Sequence, residues 1–160
     1  MIVKTTLKIV SVALVTIAAV VALAHPPHAQ EIRVNDLIFY EGNGCSQDIV
    51  FTYNSYVQAK DNCKKHGACK GDNDEARSLR ILKSAKRGTQ IRLFDDPNGK
   101  TDDDYAIINI LNPRRFEENG RCVRTFEEEL DNAREGITLD YIRKNGLDGK
   151  VSRVQVIPGV

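Results

Sequence analysis

The chain has 160 residues, of which 23 are basic and 22 acidic, so its formal net charge at pH 7 is +1. A nucleic-acid-binding domain concentrates positive charge on one face, whereas Lys and Arg are scattered among carboxylates along this sequence. Composition and length therefore exclude a strongly basic nucleic-acid-binding protein, and they fit one ordinary domain with a core of its own.

The first 29 residues are typical of a secretory signal peptide. Lys4 and Lys8 precede an apolar run from Ile9 to Ala24, and this run of about 16 residues is short for a membrane span, which needs about 20. We expect cleavage after Ala24 or after Ala29, and the sequence does not choose between them. Loss of two of the 23 basic residues leaves 21 against 22 acidic ones, a net charge of −1. The mature protein is expected to be secreted or periplasmic, with no membrane attachment.

Four cysteines lie in the mature chain: Cys45, Cys63, Cys69 and Cys122. An even number of cysteines in an exported protein favours two disulfides. Three pairings are possible, and the sequence does not select one. Cys63 and Cys69 bracket a short basic loop and could pair locally, in which case Cys45 would need Cys122. A zinc site is the competing interpretation, disfavoured because the chain has no C-x-x-C pair and the compartment is oxidising.

The first half of the mature chain predicts a β-hairpin, a loop and a further strand. Val34 to Tyr40 and Ile49 to Phe51 are rich in β-branched and aromatic residues, and a glycine-rich turn separates them. Asn54 to Asp72 is polar and predicts a long loop held by a disulfide. An acidic turn at Asn73 then leads into a strand that ends at Leu82.

The second half repeats this order and then departs from it. Thr89 to Phe94 and Tyr105 to Leu111 predict strands on either side of a turn at Asp95 to Gly99. Pro113 to Gly136 is interpreted as an insertion that contains a short helix, with Thr125 as its N-cap. The remaining predicted strands are Ile137 to Ile142 and the end of Asp148 to Ile157.

The two acidic turns set the register of the repeat. When Asn73 is aligned with Asp148, the apolar residues Leu79 and Ile81 fall on Val154 and Val156, as in two half-buried strands. The chain therefore predicts one unit used twice, at about 32–82 and 89–157, in a single domain over 30–160. The predicted fold is mainly β: a β-sandwich of two Greek-key motifs with one short helical insertion.

Two pairs of segments carry a family resemblance. The hairpins Phe39 to Gly44 and Phe94 to Gly99 recur before the boxes Asn73 to Ser78 and Asp148 to Arg153. They resemble the βγ-crystallin-like Greek-key domains, in particular their small secreted microbial members. That family opens each motif with Tyr-Glu-x-x-x-Phe-x-Gly and later carries (N/D)-(N/D)-x-x-(S/T)-Ser before an apolar strand.

The resemblance implies calcium binding, because family members hold Ca²⁺ with oxygens of these boxes and hairpins, and Ca²⁺ takes six to eight oxygen ligands. Only Ser152 keeps the family's fifth-position hydroxyl. Arg77 replaces it in the first box and places a positive charge beside the cation, and Gly149 removes another side-chain ligand. One low-affinity site at best is therefore implied. Its ligands would come from Glu41, Asn73, Asp74, the Glu75 carbonyl, Asp95, Asp148, the Lys150 carbonyl and Ser152.

In a competing interpretation, the acidic residues of these turns do not bind a metal ion. They would then be ordinary turn residues that cap local backbone groups, with Arg77 as an internal counter-charge. The run Asp102 to Asp104 does not fit an EF-hand and is expected to be a solvated hairpin tip. Glu127 to Glu129 are expected on a solvated helix face.

Catalysis has little support in the sequence, because His66 is the only histidine beyond the export segment and no nucleophile motif accompanies it. We expect a secreted, disulfide-bonded, non-enzymatic module whose weak or vestigial calcium binding stabilises the fold. The alternative is an inhibitor or toxin-like module, as the resemblance also allows. It would bind an unidentified protein or cell-surface polymer through the basic loop between Cys63 and Cys69.

Overall fold

Residues 35–160 are described by the computed structural model, so the predicted signal peptide lies outside the described residues. The described chain is mainly β, with two antiparallel sheets and two single-turn 3₁₀ helices, at Pro113–Arg115 and Ala133–Glu135. No helix among these residues is long and apolar enough to span a bilayer. The strands are β1 (Leu37–Gly42), β2 (Ser46–Tyr53), β3 (Ala59–Asn62), β4 (Ser78–Ile81), β5 (Gln90–Phe94), β6 (Tyr105–Ile110), β7 (Arg121–Val123), β8 (Leu130–Asn132), β9 (Ile137–Ile142) and β10 (Arg153–Ile157).

The first sheet has the strand order β2-β1-β4-β7, and each neighbouring pair is antiparallel. Leu37 and Phe39 of β1 lie opposite Ile81 and Leu79 of β4, and all four side chains are fully buried. Successive side chains of a strand point to opposite faces. The apolar alternation of the sequence therefore places one face of this sheet in the core.

The second sheet has the order β3-β10-β5-β6-β9-β8 and is also antiparallel throughout. Val154 and Val156 of β10 lie opposite Leu93 and Ile91 of β5, and all four are fully buried. These two valines were aligned with the buried residues of β4 from sequence alone. The predicted alternation is confirmed in both copies of the repeat.

Each half of the chain gives its third strand to the other half's sheet. β3 pairs with β10, with Ala59 opposite Val156. β7 pairs with β4, with Cys122 opposite Arg80. Buried residues from both sheets belong to one hydrophobic cluster. Neither sheet is complete without strands from both halves.

Aromatic packing ties the segment after β7 to the first sheet. The Phe39 ring lies 4.7 Å from that of Phe51 and 6.2 Å from that of Phe126, measured between centroids. Phe126 is fully buried, and burial of a phenylalanine side chain contributes about 1.5–3 kcal/mol. The segment after β7 is thus anchored to the core by one side chain.

The predicted helix after Thr125 is absent, because the segment forms β8 and a 3₁₀ turn. An isolated helix of this length is marginal in water, whereas Leu130 pairs with Leu139 at the edge of the second sheet. The turn ends at Gly136, with φ of 91°. A Cβ at this glycine would lie 2.3 Å from the Asn112 carbonyl oxygen, so no other residue fits without a shift.

Two other predictions were wrong about where strands lie. The stretch Asn54 to Asp72 contains β3, and the supposed insertion Pro113 to Gly136 contains β7 and β8. The sequence of β3 is Ala-Lys-Asp-Asn and that of β7 is Arg-Cys-Val, so neither has an apolar alternation. Both strands depend on pairing with a partner that is distant in sequence.

Both disulfides predicted from the cysteine count are present. Cys45 is bonded to Cys122, and Cys63 to Cys69, with sequence separations of 77 and 6. The longer bridge joins the turn between β1 and β2 to β7. It therefore closes a loop that contains β2, β3, β4, β5 and β6.

The two bridges should differ in their contribution to stability. On loop-closure entropy, Cys45→Ser/Cys122→Ser should lower the free energy of unfolding by about 4.5 kcal/mol, whereas Cys63→Ser/Cys69→Ser should lower it by about 2.4 kcal/mol. Urea unfolding of the two double variants measures both losses. Equal losses, or the opposite order, would contradict the prediction.

Candidate functional site

The two acidic turns of the repeat meet in space. Ser152 Oγ donates a hydrogen bond to Asp74 Oδ1 at 3.0 Å, although the two residues are 78 positions apart. The backbone N–H of Asp74 lies 3.3 Å from the Val151 carbonyl oxygen, to which it donates. Asp74 has φ of 65°, a left-handed conformation that Asp adopts more readily than most residues. The turn of the first unit is thus hydrogen-bonded to the turn of the second.

Arg77 places its guanidinium among the oxygens of one half of this site. Its Nη1 donates to the carbonyl oxygens of Glu41 at 2.9 Å and Glu75 at 3.3 Å. Its Nε lies 3.9 Å from Asp148 Oδ2. A Cβ at Gly149 would lie 2.7 Å from Arg77 Nη2, so the glycine leaves room for the side chain. Three of the oxygen sources predicted for Ca²⁺ therefore already contact a positive charge.

Two side-chain oxygens at the turns are buried without a hydrogen-bond donor among the described residues. They are Asn73 Oδ1 and Asp148 Oδ1. The other oxygen of Asp148 accepts from Asn43 Nδ2 at 3.2 Å. A buried acceptor without a partner costs about 1–3 kcal/mol. These two oxygen atoms have lone pairs that could coordinate a cation.

The hairpin after β5 brings a second group of carboxylates to the same turns. Oxygen atoms of Asp95, Asp103 and Asp104 all lie within 4.8 Å of one another. Burial raises the pKa of the Asp95 carboxyl above its usual range, and negative charge on Asp103, Asp74 and Asp104 raises it further against the opposing charge of Lys150. The negative charges of the first acidic turn and of the hairpin carboxylates thus both act on Asp95.

Asp104 is a structural acceptor, which corrects the prediction that Asp102 to Asp104 form a solvated tip. Its side chain is fully buried. Oδ1 accepts from Tyr141 Oη at 2.8 Å and from the N–H groups of Lys144 at 2.9 Å and Gly146 at 3.1 Å. Oδ2 accepts from the Asn145 N–H at 2.7 Å. This one carboxylate holds the loop between β9 and β10.

The hydrogen bonds of Asp104 outweigh its burial. Burial alone would raise its pKa, but the donated bonds from Asn145, Lys144, Tyr141 and Gly146 lower the pKa to about 2. The group is therefore a carboxylate at any physiological pH. With four donors on its two oxygens, it is less available to a metal ion than Asp95.

The predicted ligands fall into two groups. Asp74, Ser152 and Asp95 belong to one half of the site, and the Glu41 carbonyl, the Glu75 carbonyl and Asp148 belong to the other, around Arg77. The predicted oxygen of Lys150 is its backbone carbonyl, whereas its side-chain Nζ donates to Asn145 Oδ1 at 2.6 Å and its positive charge acts on Asp95.

Sequence reasoning missed two participants at these turns. Glu127 was expected on a solvated helix face, but its Oε1 accepts from the Asp148 N–H at 2.6 Å. Asn43 donates to the same residue's side chain. The glycine-rich hairpin around Asn43 was a sequence signal for the contact between Asn43 and Asp148. The sequence held no signal for the contact between Glu127 and Asp148.

Comparisons with protein-family models, with curated proteins and with solved structures find no match to this chain. The chemistry of the site is therefore inferred from its own residues.

The role of Arg77 as an internal cation can be tested by its removal. Arg77→Ser leaves the Glu41 and Glu75 carbonyls without this donor and Asp148 without its ion-pair partner, so the free energy of unfolding in EDTA should fall by about 1–2 kcal/mol. Arg143→Ser, at an exposed position, should change it by less than about 0.5 kcal/mol. Urea unfolding measures both. Equal effects would show that Arg77 is only a surface charge.

Asp104 should stabilise the protein in a pH-dependent way. Because its folded pKa of about 2 is below the unfolded value, its contribution is complete above the unfolded pKa and is lost as pH falls through the folded one. Asp104→Asn should therefore cost on the order of 2 kcal/mol at pH 7. The difference from the unsubstituted protein should shrink as pH falls from about 4 toward 2. Asp102→Asn, at an exposed position, is the control, and a loss independent of pH would contradict the prediction.

Proposed function

We propose that this chain is a secreted, disulfide-bonded, βγ-crystallin-like module without enzymatic activity, in which one weak calcium site stabilises the fold. The observation that carries the proposal is the meeting of the two acidic turns, where Ser152 Oγ lies 3.0 Å from Asp74 Oδ1. A cation between these turns would join the first unit to the second. Its effect would be on stability.

The strand order supports two interlocked Greek keys. In a Greek key the fourth strand returns to lie beside the first. β4, the fourth strand of the first half, lies beside β1, and the third strands, β3 and β7, have changed sheets. In the second half the strand beside β5 is β10, the last of six, because β8 and β9 are added next to β6. One hydrophobic cluster with members from both sheets is what a sandwich of these two motifs requires.

The half of the site around Ser152 fits a calcium ion. Asp74, Asp95 and Ser152 provide carboxylate and hydroxyl oxygens, the ligands that Ca²⁺ prefers. Asn73, whose Oδ1 is buried without a donor, and the Lys150 carbonyl would add further oxygens. Burial and, after it, the neighbouring carboxylates raise the pKa of Asp95, and a bound Ca²⁺ would offset the repulsion among those carboxylates. Few of the six to eight ligands are charged side chains, which favours low affinity.

The half around Arg77 does not fit a calcium ion. The guanidinium already contacts the Glu41 and Glu75 carbonyls and lies near Asp148. A divalent cation there would meet both steric competition and charge repulsion. In our proposal Arg77 takes the place of the metal in this half.

Three observations support a non-enzymatic role. His66 is exposed in the loop between Cys63 and Cys69, and all four cysteines are in disulfides, so no described thiol is free to act as a nucleophile. The strongly shifted carboxyl, Asp104, has its pKa lowered by structural hydrogen bonds, as described above. A general acid or base would need a pKa near the working pH.

A second candidate function is favoured by the loop between Cys63 and Cys69. Its residues Lys64 to Ala68 are exposed, and both cysteines are fully buried. Asp61 Oδ2 accepts from the Ala68 N–H at 2.7 Å and from Tyr53 Oη at 2.9 Å, which fixes the loop against β2. A rigid basic projection of this kind suits an inhibitor that binds an acidic protein or a cell-surface polymer.

Thermal unfolding with disulfides intact tests the calcium proposal. A native-state site with Kd of about 0.1 mM should add about 1.4 kcal/mol at 1 mM Ca²⁺ relative to excess EDTA, and raise the midpoint by several degrees. Ser152→Ala should abolish the shift, because it removes a ligand and the bond to Asp74. Ser84→Ala, at an exposed position outside the site, should retain it.

The same measurement separates the two candidate functions. Arg77→Ser should retain the calcium shift, because the half around Ser152 does not depend on it. Absence of any shift in the unsubstituted protein would refute the calcium proposal and favour the inhibitor, whose stability is indifferent to chelator.

A further inference from the structure

Four arginines line one cavity beside strands β4 and β7. The cavity has a volume of about 460 Å³. Arg80 comes from β4, Arg121 and Arg124 from β7 and the residue after it, and Arg115 from the 3₁₀ turn before it. Its other lining residues are Phe116, Glu117, Asn119, Gly120, Cys122 and Glu135. The sequence scatters these charges over 45 positions, and the pairing of β7 with β4 collects them.

Most of this positive charge is not neutralised by carboxylates. Arg121 Nη1 lies 2.6 Å from Glu135 Oε2. Arg80 Nη1 donates instead to the Asn119 carbonyl at 3.2 Å, and Arg115 Nη1 donates to the Arg134 carbonyl. Within residues 35–160, Arg121 is the one arginine of the four with a carboxylate at ion-pair distance. Three of the four arginines therefore have no carboxylate at ion-pair distance, and with Glu117 and Glu135 also in the lining the cavity holds four positive and two negative side chains.

One of the guanidinium groups also has an unused donor. Arg121 Nε is buried and has no acceptor among the described residues. A buried N–H without a partner costs about 1–3 kcal/mol, more for a charged group. Because that nitrogen is not solvent-accessible, an oxyanion in the cavity would accept its hydrogen bonds from the guanidinium groups of the exposed Arg115 and Arg124.

A second basic cavity adjoins the first in sequence. It has a volume of about 530 Å³ and is lined by Lys83, Arg87 and Arg114, the last of which precedes Arg115. Lys83 is paired with Glu118, whereas within the described residues Arg87 and Arg114 have no ion pair. Clefts lined by one sign of charge concentrate counter-ions. The second cavity therefore strengthens attraction of anions to the first.

We propose that the cavity between β4, β7 and the 3₁₀ turn binds a phosphate or sulfate ester. Arginine holds tetrahedral oxyanions through paired N–H donors and stays charged at all physiological pH values. The volume exceeds that of a single oxyanion and falls in the range of small-molecule sites. Phe116 and the disulfide-bonded Cys122 also belong to the lining, and the organic part of the ester would lie against them.

This site is separate from both candidate functions above. β4 begins next to the acidic turn and ends near the cavity, so calcium and anion would bind at opposite ends of that strand. The basic loop between Cys63 and Cys69 contributes no residue to the lining. Failure of calcium binding would leave the anion proposal unaffected.

Isothermal titration calorimetry with glucose 6-phosphate and glucose 6-sulfate tests the proposal at low ionic strength. The unsubstituted protein should bind at least one ester with a stoichiometry of one. Arg80→Gln/Arg124→Gln should weaken that binding at least tenfold. Arg143→Gln, which removes one charge at an exposed position outside both cavities, should weaken it less than twofold. Comparison of the two sugars distinguishes phosphate from sulfate as the preferred group.

Two results would overturn the proposal. One is no saturable binding of either ester up to 10 mM, a concentration far above any useful affinity. The other is equal weakening by the cavity variant and by Arg143→Gln, which would show only a general effect of net charge. If the double variant fails to unfold cooperatively, Arg124→Gln alone, at an exposed position, replaces it with the same expectation of weaker binding.

Discussion

Pairing of two short polar strands with partners from the other half of the chain is the constraint on which the rest of this structure depends. β3 and β7 have little apolar character, yet β3 completes the second sheet beside β10 and β7 completes the first beside β4. Their backbone groups would otherwise lose the partners that buried N–H and C=O groups require. The two halves therefore stabilise each other, and the acidic turns and the arginine cavity both form where the halves meet.

Protein groups already neutralise or hydrogen-bond part of the negative charge at the acidic turns. Arg77 supplies a cation to the Glu41 and Glu75 carbonyls and to Asp148, and the buried Asp104 is held ionised by four donors. The part around Asp74, Asp95 and Ser152 has no arginine, and the positive charge of Lys150 does not offset the burial and the neighbouring carboxylates that raise the pKa of Asp95. In our proposal a metal ion would act only in this part, because an arginine and a set of backbone N–H groups already occupy the oxygens of the others.

Much of the fold follows from local pattern. Strands with apolar alternation, such as β4, β5 and β10, were predicted near their observed positions. Ser152 and Asp74, both named as ligands of the predicted calcium site, are hydrogen-bonded to each other. β3, β7 and β8 were not predicted, because their conformation depends on distant partners. The burial of Asp104 was not predicted for the same reason, because its donors come from a loop about 40 positions later in the chain. The arginine cavity was not predicted either, because its residues meet only through strand pairing. The mean charge of a sequence does not report how that charge is distributed in space.

The exchange of third strands also bears on how the chain acquires its fold during synthesis. β3 is synthesised early, but its partner β10 begins only at Arg153, far later in the chain than the end of β3 at Asn62. The first half can form β1, β2 and β4, whereas its third strand stays unpaired until β10 has been synthesised. Such a topology has high contact order, which slows folding and leaves a strand edge available for intermolecular pairing in the interval.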